Sequence, residues 1–486
     1  MSLSDPKTNL DPKTNAGPKA AAVPRWRAAR PRPASRWIGG TRDAARLEPL
    51  PVLDRPTSPT MATLHTLIAV VFLVLLGARI QFWQGATIGF AVAVLLIPLW
   101  VGELRKYRGA TWFVIGAVAA SASGVWLTEW ASSDHATSQG ITIAQTIVLL
   151  GPVLSIGAIL WTRTVLTPAR IAVFYGVGLL IRAFLEGPGG TIYNSNVWKF
   201  QYSVPLTIIL LGLALATRRR WVELLVVAGL CAMSIANDSR SLFAILLLAF
   251  CLVAWQMRPT STTRSASTTR VVIGIGIAAA AVFNVGQALL LDGVLGAETQ
   301  ARTVAQLDQS GSILLGGRPE LAATAALFAH QPSGFGSGTY ASLNDVIVAK
   351  AGMASIGYDP NNGYVETFMF GLGFEVHSVA GDLWVRFGLI GLAFAALIAW
   401  IAIVGLGHGI ARRSASAVVI YLGVRLCWDL LFSPLYSSVP TLILFFGLAF
   451  IPRLELRSHT GASRSRRLHS ARPGQGLSSW PAGVVQ

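Results

Sequence analysis

One pattern dominates this chain: apolar runs of about 20 residues, the length an α-helix needs to cross the hydrocarbon layer of a bilayer. Such runs fall near 62–78, 82–100, 110–128, 140–161, 168–185, 203–217, 221–236, 240–257, 271–291, 378–405, 416–432 and 434–451. The expected fold is therefore an all-α polytopic membrane protein with about twelve transmembrane helices. Composition agrees: 53% of the 486 residues are hydrophobic and 13% charged, where a soluble chain carries about a quarter charged residues. Cys231, Cys251 and Cys427 all fall inside apolar runs, so neither a disulfide framework nor a thiolate metal site is expected.

The net charge of +17 first suggests a nucleic-acid binder, but the placement of the charges argues otherwise. With the N-terminus in the cytoplasm, the cytoplasmic connections read "ELRKYR", "TRTVLTPAR", "TRRR", "RPTSTTRSASTTR" and "GHGIARRS". Together with the two tails they hold most of the Lys and Arg. That is the positive-inside signature of a membrane protein, and no nucleic-acid partner is needed to explain it. Both termini are expected in the cytoplasm.

Five regions follow. Residues 1–60, rich in Pro, Ala, Arg and Lys with "DPKTN" repeated at 5–9 and 11–15, read as a disordered basic tail. Met61 opens "MATLHTLIAVVFLVLLGA", which itself looks like a protein start. Residues 61–291 carry helices one to nine, and 292–377 form one large extracytoplasmic loop. Residues 378–451 carry helices ten to twelve, and 452–486 form a second disordered basic tail. A loop as long as 292–377 is usually functional. A helix is expected within it at 319–330, with Pro319 in its first turn and "HQPSGFGSG" as its stop.

The stretch "NDSRSLFAILLLAF", 237–250, places Arg240 at the start of an apolar helix, where the macrodipole disfavours a cation. In the topology above, "NDSR" is a turn on the outer face. Asn237, Asp238 and Ser239 suit capping of the helix. Arg240 and the free backbone N–H groups repel each other, yet both attract an anion, and together they suit a phosphate or pyrophosphate. A single interfacial arginine is explained by snorkelling into headgroups. Here the pattern repeats on a face that is otherwise acidic: Arg318 leads the loop helix, Arg182 lies near the outer end of span five, and Arg79 ends span one. Several arginines at one membrane surface suit a polyanionic head group with its lipid tail between helices. His377 stands where the loop returns to the membrane, and imidazole is the side chain suited to proton transfer near neutral pH.

Three stretches together resemble the O-antigen ligase and polymerase superfamily of bacterial membrane glycosyltransferases. The first is the Ser239-Arg240 turn before a helix. The second is Arg318 followed by "HQPSGFGSGTY", with Pro332, Gly334, Gly336 and Tyr340. The third is "HSVAGDLWVRFGLIGL", with His377, Gly388 and Gly391. The resemblance covers 220 to 405. It departs from the family at Ser378, where Asn often follows the His, and at Ser241, where Gly often follows the SR turn.

The resemblance implies a class C-like glycosyltransferase fold in the bacterial cytoplasmic (inner) membrane, with an extracytoplasmic active site. Its donor would be a polyprenyl-pyrophosphate-linked glycan, and its acceptor a glycan, a lipid or a wall polymer. Arg240 and Arg318 would hold the pyrophosphate, and His377 would orient or deprotonate the acceptor hydroxyl. Transfer would invert the anomeric centre. Ser239, Arg182, Arg79 and Tyr340 are the expected substrate-binding residues. No cofactor is expected. No metal is expected either, because magnesium sites in phosphate chemistry favour carboxylates and Asp238 stands alone in its turn. Glu375 and Asp382 flank His377 and are expected on different faces if the helix begins there. Arg425 and Asp429 read as a structural ion pair, and Glu129, Asp134 and His135 as a solvated turn. The rival class is a transporter or flippase of an anionic lipid-linked substrate. It would require internal repeats and charged or broken helices near the midplane.

Overall fold

The computed structural model describes residues 58–186, 196–258, 267–293, 296–371 and 373–453. Helix dominates, and seven helices among the described residues are long and apolar enough to cross a membrane: Pro59–Ala78, Ala110–Ala131, Gln139–Thr162, Pro168–Glu186, Trp198–Ala216, Thr268–Leu291 and Val379–Ala411. Arg240–Gln256 and Leu435–Ala449 are apolar but shorter. A helix such as Arg220–Ala236, at 1.5 Å per residue, reaches about 25 Å, just under the thickness of the hydrocarbon layer. Length thus separates four of the expected twelve from the seven, and the fifth, 82–100, is a bent pair that would make eight if it counts as one span.

The first helix starts earlier than expected. Ser58 accepts from the Met61 amide (3.3 Å) and Pro59 sits in the first turn, where its missing N–H is no loss. The rest of the expected N-terminal tail, and the C-terminal tail beyond 453, lie outside the described residues. The expected span 82–100 is not one helix. A small hairpin, Gln81–Trp83 with Ala86–Thr87, precedes the helix Ile88–Leu95. The chain then breaks at Leu96 and bends by 62° into the segment 97–106. Pro98 explains the break, since it lacks an amide and crowds the residue before it. The expected span at 378–405 instead continues to Ala411.

The helix Pro59–Ala78 crosses Pro168–Glu186 backbone to backbone. A Cβ on Gly77 would collide with the Tyr175 carbonyl, and one on Gly178 with that of Val74. Small residues at such a crossing let helices pack by dispersion where lipid supplies no hydrophobic drive. Facing outward are large apolar side chains, among them Leu67, Val71, Trp112, Trp126, Leu225, Ile277 and Trp400. On a soluble protein such a surface would aggregate; on these helices it matches lipid.

The turns fall into two sets. Basic turns meet one another: Arg220 donates to the Arg413 carbonyl (2.7 Å), Arg413 to Arg258 (2.6 Å) and Arg163 to Phe450 (3.0 Å). Two other turns meet the segment 296–371: Asp238 accepts from Thr299, and His135 meets Asp345. That segment is more helical than expected, with Ala297–Ser310, Ile313–Gly317, Glu320–His330, Leu343–Ala354 and the π-turn Val365–Met369. It has its own apolar cluster of Ala323, Leu327, Phe335, Met353, Val365 and Met369, which extends to Phe374, Trp384 and Val385.

Candidate active site

The "NDSR" turn is tight. Asp238 adopts a left-handed φ of 46°, which Asp tolerates better than most residues. Ser239 occupies the N-cap position, but its hydroxyl donates to the Asn237 carbonyl (3.3 Å) and makes no cap bond. The expected side-chain capping is therefore absent, because the turn draws the hydroxyl backward. The Asp238 carboxylate instead accepts from Arg240 Nε (3.4 Å) and Thr299 Oγ1 (3.3 Å) and pairs with the charge of Arg302 (3.3 Å). Arg240 Nη1 donates to Thr303 Oγ1 (3.2 Å). These bonds dock the helix Ala297–Ser310 onto the turn. From the other side, the Asn196 side-chain amide donates to the Asn237 carbonyl. This brings Lys199 into the electrostatic field of Asp238, Arg318, Arg240 and Arg302.

Arg318 immediately precedes the helix Glu320–His330, and its carbonyl accepts from the Leu321 amide (3.2 Å). The described residues give its guanidinium no carboxylate partner. Behind it, Tyr364 donates its hydroxyl to Glu320, which is buried. Burial first, and then the neighbouring Glu320, push the Tyr364 phenol well above its ordinary value, while Arg318 pulls it down. Tyr364 therefore stays a hydrogen-bond donor. Its ring lies 5.8 Å from that of His377, tilted by 36°. Tyr364 thus joins the helix that follows Arg318 to His377, and Arg240 meets the helix Ala297–Ser310 of the same segment through Thr303.

His377 is itself strained. Its φ is 57°, a left-handed conformation uncommon outside glycine, and strain of this kind gathers at functional sites. Its Nδ1 is buried with no hydrogen-bond partner among the described residues. Ser378, the departure from the family pattern, caps the following helix through the Gly381 amide (2.8 Å). Glu375 and Asp382 are not segregated as expected. The left-handed turn at His377 folds them together, and Asp382, fully buried, accepts from the amides of Val376 (2.8 Å) and Leu435 (2.7 Å). Burial and the charge of Asp382 push the Glu375 carboxyl above the ordinary carboxylate range, against the pull of Arg386 and His377.

The glycines of the two longer motifs bring the motifs into contact. Gly388 breaks its helix at φ 67°, ψ −157°, a region essentially reserved for glycine. A Cβ there would stand 2.6 Å from the Ser333 carbonyl, and one on Gly334 would stand 2.6 Å from that of Trp384. Phe335 donates its amide to the Val385 carbonyl (2.8 Å), and Trp384 Nε1 donates to Pro332 (2.9 Å). The loop is thereby seated on the helix that follows His377.

Other expected site residues lie elsewhere. Arg79 stacks on Tyr436 (4.5 Å to the ring centroid) and donates to its carbonyl (3.3 Å). Arg182 pairs with Glu186 (2.7 Å). Tyr340 donates its amide to the Ala136 carbonyl (2.9 Å) and is partly exposed. The expected solvated turn at Glu129, Asp134 and His135 is corrected at His135, whose Nε2 meets Asp345 Oδ2 at 2.9 Å in a nearly buried pair. Arg425 and Asp429 do approach each other, at 3.4 Å.

Lys199, Arg302 and Tyr364 escaped the sequence reading as members of the ionic group. The rule that singled out Arg318, a cation on an otherwise acidic face, applies equally to Lys199 and Arg302. Among the described residues no three His, Cys, Asp or Glu side chains gather as a metal set. No family model, curated protein or solved structure matches the chain.

Proposed function

We propose that this protein transfers a glycan from a polyprenyl-pyrophosphate donor to an acceptor hydroxyl at the extracytoplasmic face of a bacterial membrane, in the manner of O-antigen ligases and polymerases. The observation that carries the reading is that one segment meets all three motifs: its Tyr364 touches both Glu320, two residues after Arg318, and the ring of His377, and its Thr303 accepts from Arg240.

The chemistry follows from that grouping. A glycosyl pyrophosphate already carries a good leaving group. The acceptor oxygen attacks the anomeric carbon, the bond from that carbon to the pyrophosphate oxygen breaks, and the hydroxyl proton passes to His377. Negative charge grows on the departing oxygen. Guanidinium groups fixed nearby stabilise it, and losing one such donor typically costs about 3–4 kcal/mol in the transition state. Arginine suits this role because it stays charged and grips phosphate oxygens in pairs. A positioned imidazole contributes a further 10²–10⁴-fold, roughly, through proton transfer. Attack opposite the leaving group inverts the anomeric centre.

The test is a reconstituted assay: protein in liposomes, polyprenyl-pyrophosphate glycan as donor, and candidate acceptors added singly. The expected result is an acceptor-dependent product of inverted configuration whose formation survives EDTA. Donor left intact with every acceptor class would count against the reading. Loss of turnover in EDTA that magnesium restores would overturn its metal-independent chemistry.

A further inference from the structure

We propose that Asp382 and Arg386 are positioning residues for His377: from the helix that follows it, they hold the backbone reversal that aims its imidazole. The inference rests on the reading of His377 as the proton acceptor and adds to it two residues that act through it.

Asp382 and Arg386 stand four apart on the helix Val379–Ala411, and therefore on one face of it. Both are buried, at 0% and 6% exposure. Each directs its charged group at the backbone of the segment leading into His377. Asp382 Oδ1 accepts from the Val376 amide (2.8 Å), and Arg386 Nε donates to the Phe374 carbonyl (2.9 Å). The Glu375 amide between them turns elsewhere, to the Met369 carbonyl (2.7 Å). Residue 376 thus meets 382, and 374 meets 386 one turn further on. The incoming segment runs antiparallel along the helix, so the chain reverses at 377 and 378. His377 takes up that reversal with its left-handed φ of 57°. Strain of this kind persists only where the surroundings over-determine it. Hydrogen bonds from ionised groups, about twice as strong as neutral ones, suit that task.

The ring itself is not held in the usual way. A catalytic imidazole is ordinarily oriented by a hydrogen bond to its second nitrogen. Here Nδ1 is buried with no partner among the described residues, and the ring faces that of Tyr364 at 5.8 Å. The direction of the imidazole is therefore set by the backbone that carries it. Asp382 is not free to act as the base instead. Its Oδ2 accepts from the Leu435 amide (2.7 Å), so both oxygens are engaged, and the carboxylate ties the helix Leu435–Ala449 to the same seat.

The liposome assay with polyprenyl-pyrophosphate glycan as donor, analysed as kcat and KM, tests this. Arg386→Met and Arg386→Lys both remove the donor at the place of Nε, the second while keeping the charge. Both are expected to lower kcat about tenfold to a hundredfold, with KM for the donor unchanged. Arg386→Gln puts its amide nitrogen where Nε stands and is expected to recover most of that loss. In a His377→Ala background, Arg386→Met and Arg386→Lys are expected to lower the rate no further. Asp382→Asn, which gives up one of the two amide bonds, is the second variant should those at 386 lose the wild-type melting midpoint; the same loss and the same dependence on His377 are expected of it. Equal losses with and without His377, or a rate kept by Arg386→Lys and lost in Arg386→Gln, would overturn the positioning role and leave His377 as the base. If His377→Ala transfers at the wild-type rate, or wild type transfers nothing, the reading of His377 fails and the positioning role falls with it.

Discussion

The ring of Tyr364 lies 5.8 Å from that of His377 while its hydroxyl donates to the buried carboxylate of Glu320. One side chain thus connects the helix led by Arg318 to the histidine at the membrane return. Tyr364→Phe keeps the ring and removes the donor, leaving Glu320 buried without its partner. The loss of such a bond costs about 1–3 kcal/mol, so donor-dependent glycan transfer is expected to fall about tenfold. Tyr364→Ala, which also removes the ring beside His377, is expected to fall further. Equal activity in Tyr364→Phe and wild type would remove the positioning role.

Gly388 tests the seat of the loop. Its φ and ψ exclude other residues, and a Cβ would press on Leu127 and Ser333. Gly388→Ala is expected to lower stability by about 1–3 kcal/mol, measured by thermal denaturation in detergent. Gly102→Ala, at a site with open space, is the control and is expected to leave the midpoint unchanged.

The pair His135–Asp345 fastens the same loop to the turn between the helices Ala110–Ala131 and Gln139–Thr162. Asp345 also completes a capping box with Ser342. Asp345→Ala therefore loses an ion pair and a helix cap together. Limited proteolysis within 296–371 is expected to accelerate in this variant, while cleavage in the basic turns 103–108 and 412–415 keeps its wild-type rate.

Glu375 gives a pH dependence of definite sign. Burial and the charge of Asp382 raise its folded-state value. Between the ordinary carboxylate range and that raised value, the folded chain holds a proton that the unfolded chain has released. The stability contributed is full below the ordinary range and is lost as pH rises through the folded value. Glu375→Gln removes the titration. Relative to wild type, the variant is expected to gain thermal stability as pH is raised from about 4 to about 8. A difference independent of pH would contradict this.

Much of the helical layout is legible in the sequence because lipid demands long apolar runs, and runs such as 140–161 and 168–185 have no other use. The break at Leu96 was less visible: the run 82–100 is apolar throughout, and Pro98 alone carries the signal. Inside 292–377, the helix Ala297–Ser310 is so polar that apolar periodicity does not announce it. The spacing of Ser342 and Asp345, by contrast, is a readable capping signal for Leu343–Ala354. At the site, Arg240, Arg318 and His377 are legible as charge and proton carriers placed against the expected trend. Their surroundings are not, because Thr303 and Tyr364, which meet Arg240 and His377, reach them only when the loop docks. The left-handed turn that brings Glu375 and Asp382 together is a backbone event at His377, and helical spacing places them apart.

The central claim is that Arg240, Arg318 and His377 act together on one lipid-linked diphosphate. Its most direct measurement is the initial rate of glycan transfer from polyprenyl-pyrophosphate donor by purified Arg240→Ala, Arg318→Ala and His377→Ala, each first shown to keep the wild-type melting midpoint. Each is expected to lose about 10²-fold or more, with combined variants losing little beyond the worst single one. Wild-type rates in all three would contradict the account.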